Sequence, residues 1–163
     1  MWPDSVRRVG DFLRAVHAEA RLEEFREGTP TAEDAARAAG VPTAQIVKSL
    51  VFVCDGRPVL ALVPGDRRAD GAKIARATGA AKARVAGRDE VVAATGFEAG
   101  AVAPFPLPGI RQVVVDRSLL LHDYVWVGGG SPNHMVRLRP QELLRLTRGR
   151  EMDAVAEPTY HSG

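Results

Sequence analysis

The sequence predicts an α+β (mixed α/β) domain in which hairpins and short helices surround one core. Three observations carry that expectation. Two apolar runs, Gln45 to Cys54 and Pro58 to Val63, flank Asp55-Gly56, a strong short-range hairpin signal. Several short helical patterns each open at a capping residue or proline and stop at a glycine. The order of strands and helices is too irregular for a doubly wound parallel sheet.

Taken in order, Asp4 to Ala18 sets Val6, Val9, Phe12, Leu13 and Val16 at helical spacing and predicts an amphipathic helix carrying His17. Arg21 to Phe25 reads as a short strand. Thr31-Ala32-Glu33-Asp34 opens a helix, a threonine N-cap with an acid three residues on, and Gly40 and Pro42 close it. The hairpin follows. Asp70 to Thr78 is a helix ended by Gly79, Arg84 to Ala86 a short strand, and Asp89 to Thr95 a helix ended by Gly96. Gly100 to Gly109, with Pro104, Pro106 and Pro108, has to be a loop. Gln112 to Asp116 is a strand, Ser118 to Leu121 a helical turn, and Tyr124 to Val127 a strand that runs into three glycines. His134 to Leu138 is the next strand. Pro140 then opens a last helix, which reaches Thr147 and ends at Gly149.

The 163 residues fit one domain, 1–163, with a core over about 5–150 and a polar tail, 151–163, expected to fray. The single cysteine, Cys54, excludes an internal disulfide and a cysteine-only zinc site, and favours a cytoplasmic setting. No charged start precedes an apolar run, so no signal peptide is expected. No apolar stretch nears the roughly 20 residues of a membrane span. A net charge of +2 does not by itself mark a nucleic-acid binder. The arginines Arg67, Arg68, Arg84, Arg88, Arg137, Arg139, Arg145, Arg148 and Arg150 read either as solvated faces or as a surface that steers a polyanion.

Four features could carry chemistry. Lys48 interrupts an apolar run, and strand alternation places it on the face of Ile46, Leu50 and Phe52. It faces either solvent or a polar cavity, where its ammonium would need a partner. The Gly100-Ala101-Val102-Ala103-Pro104 segment can aim backbone amides at a carbonyl, with proline stiffening its end, or can be a plain surface loop. Gly128-Gly129-Gly130 lacks the Lys-Ser/Thr of a phosphate loop and opens no helix, which leaves a cleft wall or a hairpin turn. Of the histidines, His134 beside that turn is the one placed for a site; His17, His122 and His161 are not, and no metal-ligand spacing links them. His122-Asp123 are adjacent, so on a strand they would point to opposite faces. No Gly-x-Ser-x-Gly elbow is present, and no cofactor or metal is expected.

Three segments in order resemble the YbaK/EbsC and prolyl-tRNA-synthetase-associated editing domain family: Thr31–Gly40 with Gln45-Ile46-Val47-Lys48-Ser49-Leu50-Val51-Phe52, then Ala94 to Pro104, then Val113-Val114-Val115-Asp116 leading to Tyr124-Val125-Trp126-Val127-Gly128-Gly129-Gly130. The resemblance covers about residues 5–150. It implies a curved, mixed, mostly antiparallel sheet with surrounding helices and a cleft on one side. It also implies hydrolysis of the ester between an amino acid and the terminal ribose of tRNA, without a metal and with water as nucleophile. Lys48 matches the family's lysine, which holds the substrate's amino-acid or terminal-phosphate end. Gly100 to Pro104 matches its Gly-x-x-x-Pro loop, so Gly100 joins Lys48 as a catalytic candidate, and Ala101, Val102 and Pro104 as substrate-binding ones. Gly128 aligns where relatives carry Ser, His or Gly in the amino-acid pocket; Gly129 and His134 complete the substrate-binding set. The sequence departs at Ala101, where relatives have a second glycine, and at Met135, where the cysteine-specific branch has an aspartate, which argues against cysteinyl-tRNA. The implied partners are a mischarged tRNA and an aminoacyl-tRNA synthetase. A silent RNA-binding or synthetase-docking module of the same fold, and a small-molecule hydrolase using the same cleft, are the competing readings.

Overall fold

The computed structural model describes residues 1–158. The helices are α1 (Asp4–Ala15), α2 (Ala32–Ala39), α3 (Gly71–Thr78), α4 (Arg88–Thr95) and α5 (Pro140–Thr147). The strands are β1 (Ala20–Glu24), β2 (Val47–Cys54), β3 (Arg57–Pro64), β4 (Ala83–Val85), β5 (Gln112–Asp116), β6 (Val125–Ser131), β7 (His134–Leu138) and β8 (Arg150–Met152). Short 3-10 turns cover Thr43–Gln45 and Arg117–Leu121.

The expected mixed α+β class is what the chain adopts. Its strands divide between a three-stranded sheet, β1-β7-β6, and a five-stranded sheet, β4-β2-β3-β5-β8. The β1–β7, β6–β7, β2–β3 and β2–β4 pairs are antiparallel, and β3–β5 and β5–β8 are parallel. An Ile46–Trp126 bridge links the two sheets. Asp55 and Gly56, at φ 50° and 82°, form the two-residue turn between β2 and β3, both in the left-handed region that such a turn demands.

Local signals explain the helix ends. The Thr31 hydroxyl accepts the Asp34 N–H at 3.1 Å, and the Asp70 carboxylate accepts those of Ala72 and Lys73 at 2.9 and 3.1 Å. The main core lies between the sheets and α1, where Val9, Leu60, Leu62, Phe97, Phe105, Val127, Val136 and Leu143 are buried. Each such side chain contributes about 1.5–3 kcal/mol. Phe52, Val59, Val63, Ile74 and Val114 pack in a second cluster under α3, and Ala35, Ile46, Trp126 and Met135 in a third under α2.

Four expectations change. First, the glycine run is not a turn: β6 continues through Gly128–Gly130 to Ser131, with a register shift, and the turn falls at Pro132-Asn133. Pairing with β7 carries the strand on. Second, α5 ends on Arg148 at φ 54°, not on Gly149; Gly149 is small because a Cβ there would lie 2.6 Å from a Val115 methyl. Third, His17 follows α1, which stops at Ala15. Fourth, the tail does not fray over its described part. β8 pairs with β5, and Ala154 and Val155 are buried. The buried Asp116 carboxylate accepts the Ala154 N–H at 2.8 Å, and Lys73 Nζ binds Asp153 Oδ2 and the Val155 carbonyl at 2.8 and 2.7 Å. His161 and the rest of the tail beyond 158 lie outside the described residues. No described helix is long and apolar enough to cross a membrane.

Candidate active site

A cavity of about 250 Å³ opens between the first turn of α2, the start of β2, the loop after α4 and the β6–β7 hairpin. Lys48, Gly100, Ala101, Val102, Gly128 and His134 all lie on its wall. Residues more than fifty positions apart in sequence are thus brought to one hollow.

Lys48 is half-buried, and Nζ donates to the Arg67 carbonyl at 2.5 Å. Burial pulls its pKa below the usual lysine value, while the carboxylates of Glu33 and Asp66 act the other way. An ammonium has three donors, so two are left for a ligand after the Arg67 bond. That acceptor is itself anchored, since the Arg67 guanidinium donates to the Ala156 carbonyl at 2.6 Å and the Ala156 N–H to the Arg68 carbonyl at 2.8 Å. The tail therefore sets the position of the lysine's partner.

Gly100 takes φ 86°, a left-handed conformation suited to glycine. Ala101 has no such conformation, so its methyl group introduces no backbone strain. Its N–H turns back onto the Glu98 carbonyl at 3.0 Å and is not free for a substrate. Among the described residues, the Gly100 and Val102 amides have no protein acceptor, and both residues line the cavity, so these N–H groups can be offered to a substrate.

Gly128 is held by contact. A Cβ on it would sit 2.3 Å from the Val102 carbonyl oxygen, so the loop lies directly against β6. Two expected residues are elsewhere. Pro104 lines a separate groove of about 610 Å³ with Arg8, Phe105 and Leu107. Gly129 packs inward, where a Cβ would come within 2.8 Å of the His134 backbone and 3.0 Å of Leu22. His122 is not on the cavity wall.

His134 is 3% exposed. Its Nδ1 lies 2.6 Å from Ser131 Oγ, and its Nε2 lies 3.4 Å from Glu24 Oε2 without hydrogen-bond alignment. The Trp2 ring stands edge-on to the imidazole, centroids 4.9 Å apart. Burial pushes the His134 pKa below its usual 6.5, and Glu24 partly restores it.

Sequence reasoning missed Ser131, Ser49 and Glu24. Ser131 and Ser49 line the cavity, and the Ser49 hydroxyl is buried with no partner among the described residues. A hint existed for Ser131, because Ser and His flanking the Pro-Asn pair face each other once a two-residue turn forms. Glu24 had none: its place opposite His134 depends on the β1–β7 register. Among the described residues, no three His, Cys, Asp or Glu side chains cluster as metal ligands.

Residues 26–146 match the family model of the aminoacyl-tRNA editing domain. Uncharacterized protein YwhH of Bacillus subtilis is 36% identical over 140 residues, 85% of this chain and 88% of that protein. The proline–tRNA ligase of Nitratidesulfovibrio vulgaris is 35% identical over 140 residues, 86% of this chain but only 24% of the ligase. A crystal structure of a candidate trans-editing enzyme for prolyl tRNA synthetase superposes with a TM-score of 0.89 at 36% identity, covering 96% of this chain and 100% of that one.

Proposed function

The chain belongs to the aminoacyl-tRNA editing domain family, and on that premise we propose that it is a trans-acting deacylase that hydrolyses the ester of a small amino acid mischarged onto tRNA. The supporting observation is that Lys48 and the Gly100–Val102 backbone share one cavity. At about 250 Å³ it falls below the roughly 300–1,000 Å³ of sites for drug-sized ligands, which suits an aminoacyl group better than a whole nucleoside. Likeness to a proline–tRNA ligase points to tRNA for proline as the carrier and to a synthetase as the upstream partner.

The aminoacyl ester is already activated, so positioning and polarisation carry much of the rate. The Gly100 and Val102 amides face the scissile carbonyl and stabilise its developing negative charge. Lys48 supplies a cation anchored at one end on Arg67, with donors left to orient the substrate. Water attacks the carbonyl carbon, and the ribose oxygen leaves. Met135 and the tight Gly128–Val102 contact close the far wall and exclude long acyl chains. Size discrimination of this kind reaches about 1–3 kcal/mol per methylene.

The test is deacylation of tRNA for proline carrying Ala, Ser, Thr or Pro, run beside a binding assay. Wild type is expected to release a small non-cognate acyl group and spare proline, and Lys48→Ala to lose about 10²–10³-fold in kcat/KM. Wild-type rates for Lys48→Ala across the panel would overturn the assignment. Tight tRNA binding with no turnover would favour a silent module.

A further inference from the structure

We propose that Ser131, His134 and Glu24 form the proton relay that activates the attacking water. The inference rests on the deacylase reading and supplies what that reading lacks, a protein base. The three residues come from the β6–β7 hairpin and the neighbouring strand β1. Ser131 and His134 pair across the Pro132-Asn133 turn, and His134 and Glu24 pair across β7 and β1. Two strand registers therefore line up a hydroxyl, an imidazole and a carboxylate, with contacts of 2.6 Å and 3.4 Å between successive members.

Ser131 Oγ accepts the Asn133 N–H at 3.0 Å and keeps its own proton, which in the relay is donated to His134 Nδ1, 2.6 Å away. Nδ1 is then the acceptor and Nε2 carries the hydrogen, facing Glu24. Ser131 is half-buried on the cavity wall, whereas the imidazole is almost wholly enclosed and capped by Trp2. The serine oxygen is thus the end of the relay that a water in the cavity reaches. Glu24 is the charged group that acts on His134 among the described residues; Trp2 and Ser131 are its neutral neighbours. The Glu24 side chain is 45% exposed and has room to turn its 3.4 Å approach into a full bond when positive charge forms on the ring.

The water oxygen bonds to the ester carbonyl carbon. One water proton passes to Ser131 Oγ while the Ser131 proton passes to His134 Nδ1. The imidazolium is held against Glu24 during the life of the tetrahedral oxyanion. When the bond from the carbonyl carbon to the ribose oxygen breaks, the proton returns through Ser131 to that oxygen. The products are the free amino acid and tRNA with an intact terminal ribose. Glu24 touches no substrate and is a positioning residue.

The test measures kcat and KM against pH for wild type, Ser131→Ala, Ser131→Thr and Glu24→Gln on the mischarged tRNA that wild type turns over fastest. A general base is worth about 10²–10⁴-fold, so Ser131→Ala should lower kcat by at least 10²-fold with KM nearly unchanged. Ser131→Thr, which keeps the hydroxyl, should recover much of it. Wild-type kcat should rise with pH through an inflection below 6.5, as His134 loses its proton. Glu24→Gln should lower kcat and move that inflection further down, since a carboxylate that favours the imidazolium is gone. A merely structural serine would change stability or KM and leave the inflection in place. Wild-type kcat in Ser131→Ala, or a pH profile unmoved by Glu24→Gln, overturns the relay while leaving the deacylase reading intact. A wild type that deacylates nothing in the panel overturns both.

Discussion

Replacing Gly128 with alanine tests whether the loop and β6 really define the hollow between them. The added methyl would lie 2.3 Å from the Val102 carbonyl oxygen and 3.2 Å from its carbonyl carbon. Real Cβ atoms essentially never come closer than 3.0 Å to a neighbour, so loop or strand must move by about 0.7 Å, and more for a relaxed contact. The obstacle is main chain, not the end of a flexible side chain, so it cannot rotate away. The backbone of Gly128 is not in the left-handed region, and the cost is therefore one of space alone. Overpacking of this kind costs about 1–3 kcal/mol. At about 2–4 °C per kcal/mol for a chain of this size, thermal unfolding should fall by a few degrees. The functional loss should be larger in proportion. The displaced carbonyl sits on the same residue as the Val102 N–H, so the two move together, and a shift of about 1 Å away from productive geometry costs on the order of 10²-fold. The assay is kcat/KM for deacylation beside the unfolding midpoint. A Gly128→Ala protein with wild-type turnover and wild-type stability would show that loop and strand do not meet as described, and the mechanism built on that contact would fall.

The remaining predictions concern single charged groups. Lys48→Met should lower kcat/KM for deacylation by about 10²–10³-fold while leaving the unfolding temperature unchanged or higher, because burial already disfavours the charged amine; a drop of several degrees would mean that the lysine is there for stability. Glu90 should titrate near 2, held below the ordinary 4.5 by the two Arg84 bonds at 2.7 and 2.8 Å and by the Gly87 N–H at 3.0 Å. Its folded pKa lies below its unfolded one, so its stabilising effect is complete above about 4.5 and fades as pH falls towards about 2. In Arg84→Met the carboxyl resonance should shift its midpoint back towards 4.5, and an unmoved midpoint would mean that the fork does not form in solution.

Much of the fold was legible because its signals are local. The Asp55-Gly56 turn, the Thr31 and Asp70 caps and the three prolines of the 104–108 loop each act through neighbours in sequence. The misreadings were of another kind. The glycines of β6 looked like a turn because a glycine run has no side-chain pattern; what makes them strand is the pairing of Gly128 with Met135 and of Ser131 with His134 on β7, on either side of a bulge. The tail looked free because the groups that hold it, Asp116 and Lys73, lie 38 and 80 positions away. In the site, Lys48 stood out as one cation in an apolar run, whereas Glu24 looked like any surface acid on a short strand.

The sequence by itself determined the helices, the β2–β3 hairpin and the proline loop, and which residue types are available for ester chemistry, because hydrophobic period, capping and turn chemistry act over a few residues. Only the tertiary structure decided that Lys48 faces a hollow, that Pro104 lines another groove, and that Ser131, His134 and Glu24 stand in a row. Those placements follow from strand register and from loops packing on distant strands. A shift of one residue in register turns a side chain to the opposite face, and nothing in the local pattern records which partner strand a segment will meet.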